Sequence, residues 1–116
     1  MAKENIIIDK TFEFSLIIIE LNRYLTIEKK EYILSKQLLK SATSIGANVE
    51  EATAAQSRRD FLSKMSIASK EARETTYWLR LLIKSDYITD DGILNNSIEI
   101  KKIITSIVKT TSAQRD

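Results

Sequence analysis

The apolar positions of this chain recur every three or four residues almost from end to end, the stride that lines one face of a helix. The clearest run lies between Tyr32 and Ala55, where Leu34, Leu38, Ala42, Ile45, Val49 and Ala52 stay in phase. Ser41, Ser44, Gly46, Ala47 and Asn48 stand between them, and several of these are poor helix formers taken singly. Small side chains let a neighbouring helix approach closely. The run is therefore expected inside a bundle, with Gln37, Ser41, Ser44, Asn48 and Glu51 forming a structural polar seam. The stride crosses Gly46 without losing phase, which predicts one continuous helix. The alternative is a break at Gly46, with Asn48 capping a restarted helix through an Asn-x-x-Glu box that ends at Glu51.

Three further helices follow from the same pattern. The first is expected from about Asp9 to Thr26, with Phe12, Leu16 and Ile19 on one stripe and Phe14, Ile17, Leu21 and Tyr24 on an adjoining one. Together the stripes are broader than one seam needs, so this helix should meet two neighbours, within the bundle or at a subunit interface. Ile6 to Ile8 form an apolar patch ahead of it, either a staple or a segment laid across another chain. The charged stretch Thr26 to Glu31 reads as a connection. Ser57 is placed to cap a third helix with Asp60 three residues on, and Phe61, Met65, Ala68, Ala72, Thr75 and Leu79 carry that helix to Leu82 or Ile83. Trp78 follows another face with Glu71, Glu74, Leu81 and Ser85, which leaves open a second packing surface or an ordinary core role. After the polar loop Ser85 to Gly92, the fourth helix begins near Asp90 or Ile93. It uses Ile98, Ile104 and Val108, broadened by Ile103 and Ile107, and fraying is expected beyond Lys109. The pattern predicts an all-α, up-down-up-down four-helix bundle, with residues 1–116 as a single domain.

Composition narrows the chemistry. Two Gly and no Pro leave too little turn signal for a β-rich fold. Without Cys there is no disulfide, thiol nucleophile or Cys-based zinc site, and without His the usual general base and commonest metal ligand are missing. No carboxylates fall at di-iron spacing, so no catalytic residue, metal or cofactor is expected. The competing enzymatic reading rests on Glu50, Glu51, Glu71 and Glu74 converging. The amino end lacks a secretory pattern, and the run Leu16 to Ile19 is too short to span a bilayer. A cytoplasmic protein with no membrane partner is the expectation. There is no glycine-rich phosphate loop, and the long third helix fits a helix-turn-helix poorly.

The formal charge of +2 conceals an asymmetry: residues 1–57 carry seven basic against eight acidic side chains, residues 58–116 eleven against eight. Arg58, Arg59, Lys64, Lys70, Arg73, Arg80 and Lys84 dominate the excess. Of these, Arg58, Arg59, Lys64, Arg73, Arg80 and Lys84 are the candidate nucleic-acid contacts, through phosphate. This half lacks the interleaved exposed aromatics that would suggest base stacking, so nonspecific electrostatic contact is expected rather than sequence readout.

Two blocks carry a resemblance. Gln37 to Ala52, QLLKSATSIGANVEEA, and Lys70 to Leu79, KEARETTYWL, resemble the two signature blocks of the four-helix bundle proteins encoded by intervening sequences in bacterial 23S ribosomal RNA genes, often labelled S23 ribosomal proteins. The likeness extends over nearly the whole chain, although the Pro common in the family's first connection is absent. It implies a non-enzymatic, self-associating bundle, with a homopentamer among the expected assemblies. The family is in turn similar to the accessory proteins of diversity-generating retroelements, which work with a reverse transcriptase and nucleic acid. The expected partners are therefore further copies of the chain and RNA or DNA, with a protein-only scaffold as the alternative.

Overall fold

A computed structural model describes residues 2–114, with side chains from residue 6 onward. They form four helices, α1 (Ala2–Ile27), α2 (Leu34–Thr53), α3 (Arg58–Lys84) and α4 (Gly92–Ala113), and no strand occurs among the described residues. Each helix packs along its successor, while α1 and α4 meet more shallowly to close the bundle. The result is a four-helix bundle, a rod of 51 × 21 × 21 Å with successive helices running in opposite directions.

The first helix departs most from expectation. It starts before Asp9, so Ile6 to Ile8 belong to α1 itself rather than to a separate patch ahead of it, with Ile7 in the core and Ile6 exposed. The cause is phase: Ile7, Phe14 and Leu21 repeat at seven residues, as do Thr11, Ile18 and Leu25, and both rows are buried. The stripe containing Phe12 and Leu16 instead faces outward, and Ile17 and Tyr24 are exposed as well.

The second helix runs unbroken through Gly46, which excludes the restart at Asn48. Leu38, Ala42, Ile45, Val49 and Ala52 all reach the core, as the stride predicts. A methyl group at Gly46 would lie 3.5 Å from both the Ser15 hydroxyl and the Thr11 carbonyl oxygen, so α1 runs close to the backbone of α2 here.

The turn into α2 is more ordered than its charged sequence suggests. Lys30 takes a left-handed conformation with φ 56°, and the next N–H, that of Glu31, donates to the Leu25 carbonyl at 2.9 Å. The Glu31 carboxylate then accepts from the backbone N–H groups of Ile33, Leu34 and Ser35 at 3.1, 2.9 and 2.7 Å, closing the open end of α2. At α3 the expected cap is present, with the Asp60 N–H donating to Ser57 Oγ at 3.0 Å. Its other end closes through Asp86, at φ 67°, with Tyr87 N–H reaching the Leu82 carbonyl at 2.9 Å. The fourth helix continues past Lys109 to Ala113 because Thr111 keeps the phase of Ile104 and Ile107 and is buried, which corrects the expected fraying for those residues. Arg115 and Asp116, the end of that tail, lie outside the described residues.

Candidate functional site

The polar seam is narrower than predicted on α2 and wider across the bundle. Of the expected members, Ser41 is buried, 2.9 Å from the Thr75 hydroxyl of α3. Gln37 is exposed. Ser44 bonds back to the Lys40 carbonyl at 2.8 Å, and the half-buried Asn48 amide donates to the Ser44 carbonyl at 2.9 Å, so both are satisfied within their own helix. The next residue after Thr75, about 100° further round α3, reaches the opposite neighbour: Thr76 Oγ1 lies 2.8 Å from Ser97 Oγ of α4. Thr75 stood on the inward stride read from the sequence, whereas Thr76 and Ser97 were hidden because each sits at a position that also suits an apolar residue. No buried side-chain nitrogen or oxygen among the described residues lacks a partner, so the interior holds no polar group waiting for a ligand.

The expected basic residues divide into two sets. Arg59, Arg73 and Arg80 are exposed and fall at multiples of seven along α3. Lys70, Tyr77 and Lys84 form the adjoining exposed row at the same interval. Neither row contains a carboxylate. From Arg59 to Lys84 this face extends about 37 Å at the rise of an α-helix. Lys64 lies on another flank, where its ammonium meets Glu51 Oε1 at 3.0 Å and ties α3 to α2. The hydrogen bond and charge of Glu51 hold the Lys64 ammonium above its ordinary value. Arg58 is half-buried and engaged in an interaction of its own. Glu51 thus belongs to this surface ion pair, and Lys64 and Arg58 stand apart from the open face.

Tyr77 alters the chemistry expected of that face. It is 52% exposed between Arg73, one turn earlier, and Arg80, one turn later, so an aromatic is interleaved with the cations after all. The helix α4 adds cations that sequence reasoning left aside. Ser97 lies against Thr76 and the helices are antiparallel, so Lys101, one turn beyond Ser97, runs level with Arg73. Further along α4, Lys101, Lys102, Thr105, Ser106, Lys109 and Thr110 line an open groove of about 570 Å³, again without a carboxylate.

The remaining surface offers less. A groove of about 300 Å³ between α1 and α4 is lined by Asp9, Glu13, Ile17 and Asn96 and bridged by Lys10 and Glu99 at 3.2 Å. Glu50, Glu51, Glu71 and Glu74 do not assemble: Glu51 is paired with Lys64, Glu74 accepts from the Trp78 indole at 3.3 Å, and no cluster able to hold a metal occurs among the described residues. Trp78 is half-buried against the core, with its ring edge-on to Tyr77 at 5.3 Å between centroids. No described helix is long and apolar enough to cross a membrane.

Residues 3–109 match the family described as 23S rRNA-intervening sequence protein. Among solved structures, the chain is similar to a Bacteroides thetaiotaomicron protein described as of unknown function and from the S23 ribosomal protein family. The two are 52% identical, with 92% of this chain and 98% of that chain covered and a TM-score of 0.89. No curated protein matches.

Proposed function

The chain belongs to the 23S rRNA-intervening sequence protein family, and we propose that it is a non-enzymatic, self-associating interaction protein that holds RNA or DNA electrostatically. The observation that carries this reading is the pair of adjoining carboxylate-free rows on the outer face of α3, Arg59, Arg73 and Arg80 on one and Lys70 and Lys84 on the other. A solvated helix usually mixes charges of both signs, and a face of one sign along most of a helix attracts a polyanion. Lys64 and Arg58 play a lesser role because each is already engaged within the fold. Self-association is the second element. The outward row of Phe12, Leu16 and Tyr24 on α1 is the surface proposed to meet further copies, with a homopentamer as the assembly the family resemblance suggests. A protein-only scaffold is the competing reading, favoured by this apolar row taken alone.

Salt-titrated binding to mixed-sequence RNA and DNA decides between the two. The wild type should bind at low salt and weaken steeply as salt rises. Replacing Arg59, Arg73 and Arg80 with Ala together should flatten the logarithmic salt slope by about 2 to 3, since each arginine neutralises one phosphate. Absence of binding at low salt would leave the scaffold reading standing.

A further inference from the structure

We propose that the α3 face is a site for single-stranded nucleic acid, with one base stacked on the Tyr77 ring. This deepens the electrostatic reading above and rests on it. The cations explain attraction to any polyanion, duplex or single strand, and do not explain a large aromatic surface kept in solvent among them. Tyr77 is 52% exposed, and it lies on the same outward row as Lys70 and Lys84, each seven residues away. Arg73 and Arg80 stand one turn before and after it on the adjoining row, so a strand whose phosphates lie between the two rows passes over the ring.

The ring is also held in place by its neighbour. Its neighbour Trp78 packs against the core and donates its indole N–H to Glu74 Oε1 at 3.3 Å, and the two rings meet at 69° with centroids 5.3 Å apart. This edge-on contact braces Tyr77 without covering its outer side. Base stacking on such a ring is open to every base, since each has a π-face, but it needs an unpaired base free of its own stack. In a duplex the bases are occupied with one another, and the same cations then meet only the backbone. The geometry therefore separates two contributions: a charge row common to all nucleic acids and an aromatic platform usable by a single strand alone.

The test compares an oligothymidylate with a duplex of matched phosphate number, using fluorescence anisotropy at fixed salt for wild type, Tyr77→Ala and Tyr77→Phe. Tyr77→Ala should weaken single-strand binding by about 10-fold while changing duplex binding by less than about twofold. Tyr77→Phe should bind like wild type, because the ring and not the hydroxyl carries the contact. Trp78 is the sole tryptophan, and its emission provides a readout that needs no label: it should respond to the single strand and not to the duplex. Circular dichroism establishes that each variant keeps its helices, as the exposure of Tyr77 leads one to expect. Equal losses for both ligands, or no loss for the single strand, overturn the role of Tyr77 while leaving electrostatic binding intact. If wild type binds neither ligand at low salt, the electrostatic reading falls and takes this one with it.

Discussion

At the scale of single residues, the stability of α2 depends on two positions whose chemistry runs against first impressions. Burial pushes the Glu31 carboxyl up, and hydrogen bonds from the Leu34, Ser35 and Ile33 N–H groups outweigh it, so that Glu31 is held below its ordinary value. A carboxylate that is easier to ionise in the folded chain stabilises the fold above its unfolded pKa, and that contribution is lost as pH falls through the lower folded value. Glu31→Gln should therefore cost about 0.5–2 kcal/mol at neutral pH, as loss of a helix cap does. The penalty should shrink in acid, where the wild type loses the same charge. Urea titrations of both proteins at neutral and acidic pH measure the difference. Gly46 works in the other direction. The room around it, 3.5 Å to Ser15 and Thr11, is ordinary contact distance for a methyl group, and its backbone is plain helix. Gly46→Ala should consequently stabilise the protein by about 0.5–1 kcal/mol through helix propensity. A larger residue such as Val, whose branches would press on the α1 backbone, should destabilise it. The denaturation midpoints of the two variants check this pair of opposite signs.

Elements show where sequence pattern informs and where it stops. The helices α2 and α3 were legible to within about two residues because each has one dominant apolar stride, and Ser57 announces the start of α3 with a side chain suited to capping. In α1 the direction of the helix was not legible. Two apolar strides overlap there, and periodicity alone does not say whether the row of Phe14 or the row of Phe12 turns inward. Packing resolves this in favour of Ile7, Phe14, Ile18 and Leu25, since those rows coincide with the approach of α2 and α4. The Glu31 cap was equally hidden. It reaches α2 from outside the helix, across Tyr32 and Ile33, and glutamate is not a usual capping residue. The basic residues of α3 were visible as a composition excess, but only their helical angle separates Arg59, Arg73 and Arg80 on the open face from Lys64 beside Glu51. Tyr77 is hidden for a related reason: in a helix rich in apolar residues, nothing but phase distinguishes a core aromatic from one left in solvent.

For the whole molecule, the apolar surface of α1 is the feature a lone chain explains least. The helix already contacts α2 and α4, yet Phe12 remains 60% exposed, with Leu16, Ile17, Tyr24 and Ile27 also outward. Scattered exposed apolar residues are ordinary, whereas five large ones on the outward side of one helix, even with the Glu20–Arg23 ion pair among them, are the surface proposed above to meet further copies. If further copies cover it, sedimentation should give a mass several times that of the chain. Phe12→Glu combined with Leu16→Glu should then release monomers that keep their helices, because neither side chain belongs to the buried core. Burying a Phe or Leu is worth about 1.5–3 kcal/mol, so removing both should raise the dissociation constant by at least about 100-fold. The same variant bears on nucleic acid, since the charged face of α3 is untouched by changes on α1. The proposed assembly would place several such faces on one particle and turn a weak contact per subunit into a strong one overall. The monomeric variant should therefore lose affinity for a long RNA or DNA while keeping that of a single subunit for a short one. A wild type that sediments as a monomer at micromolar concentration would refute the assembly and leave the α1 row without a partner of its own kind.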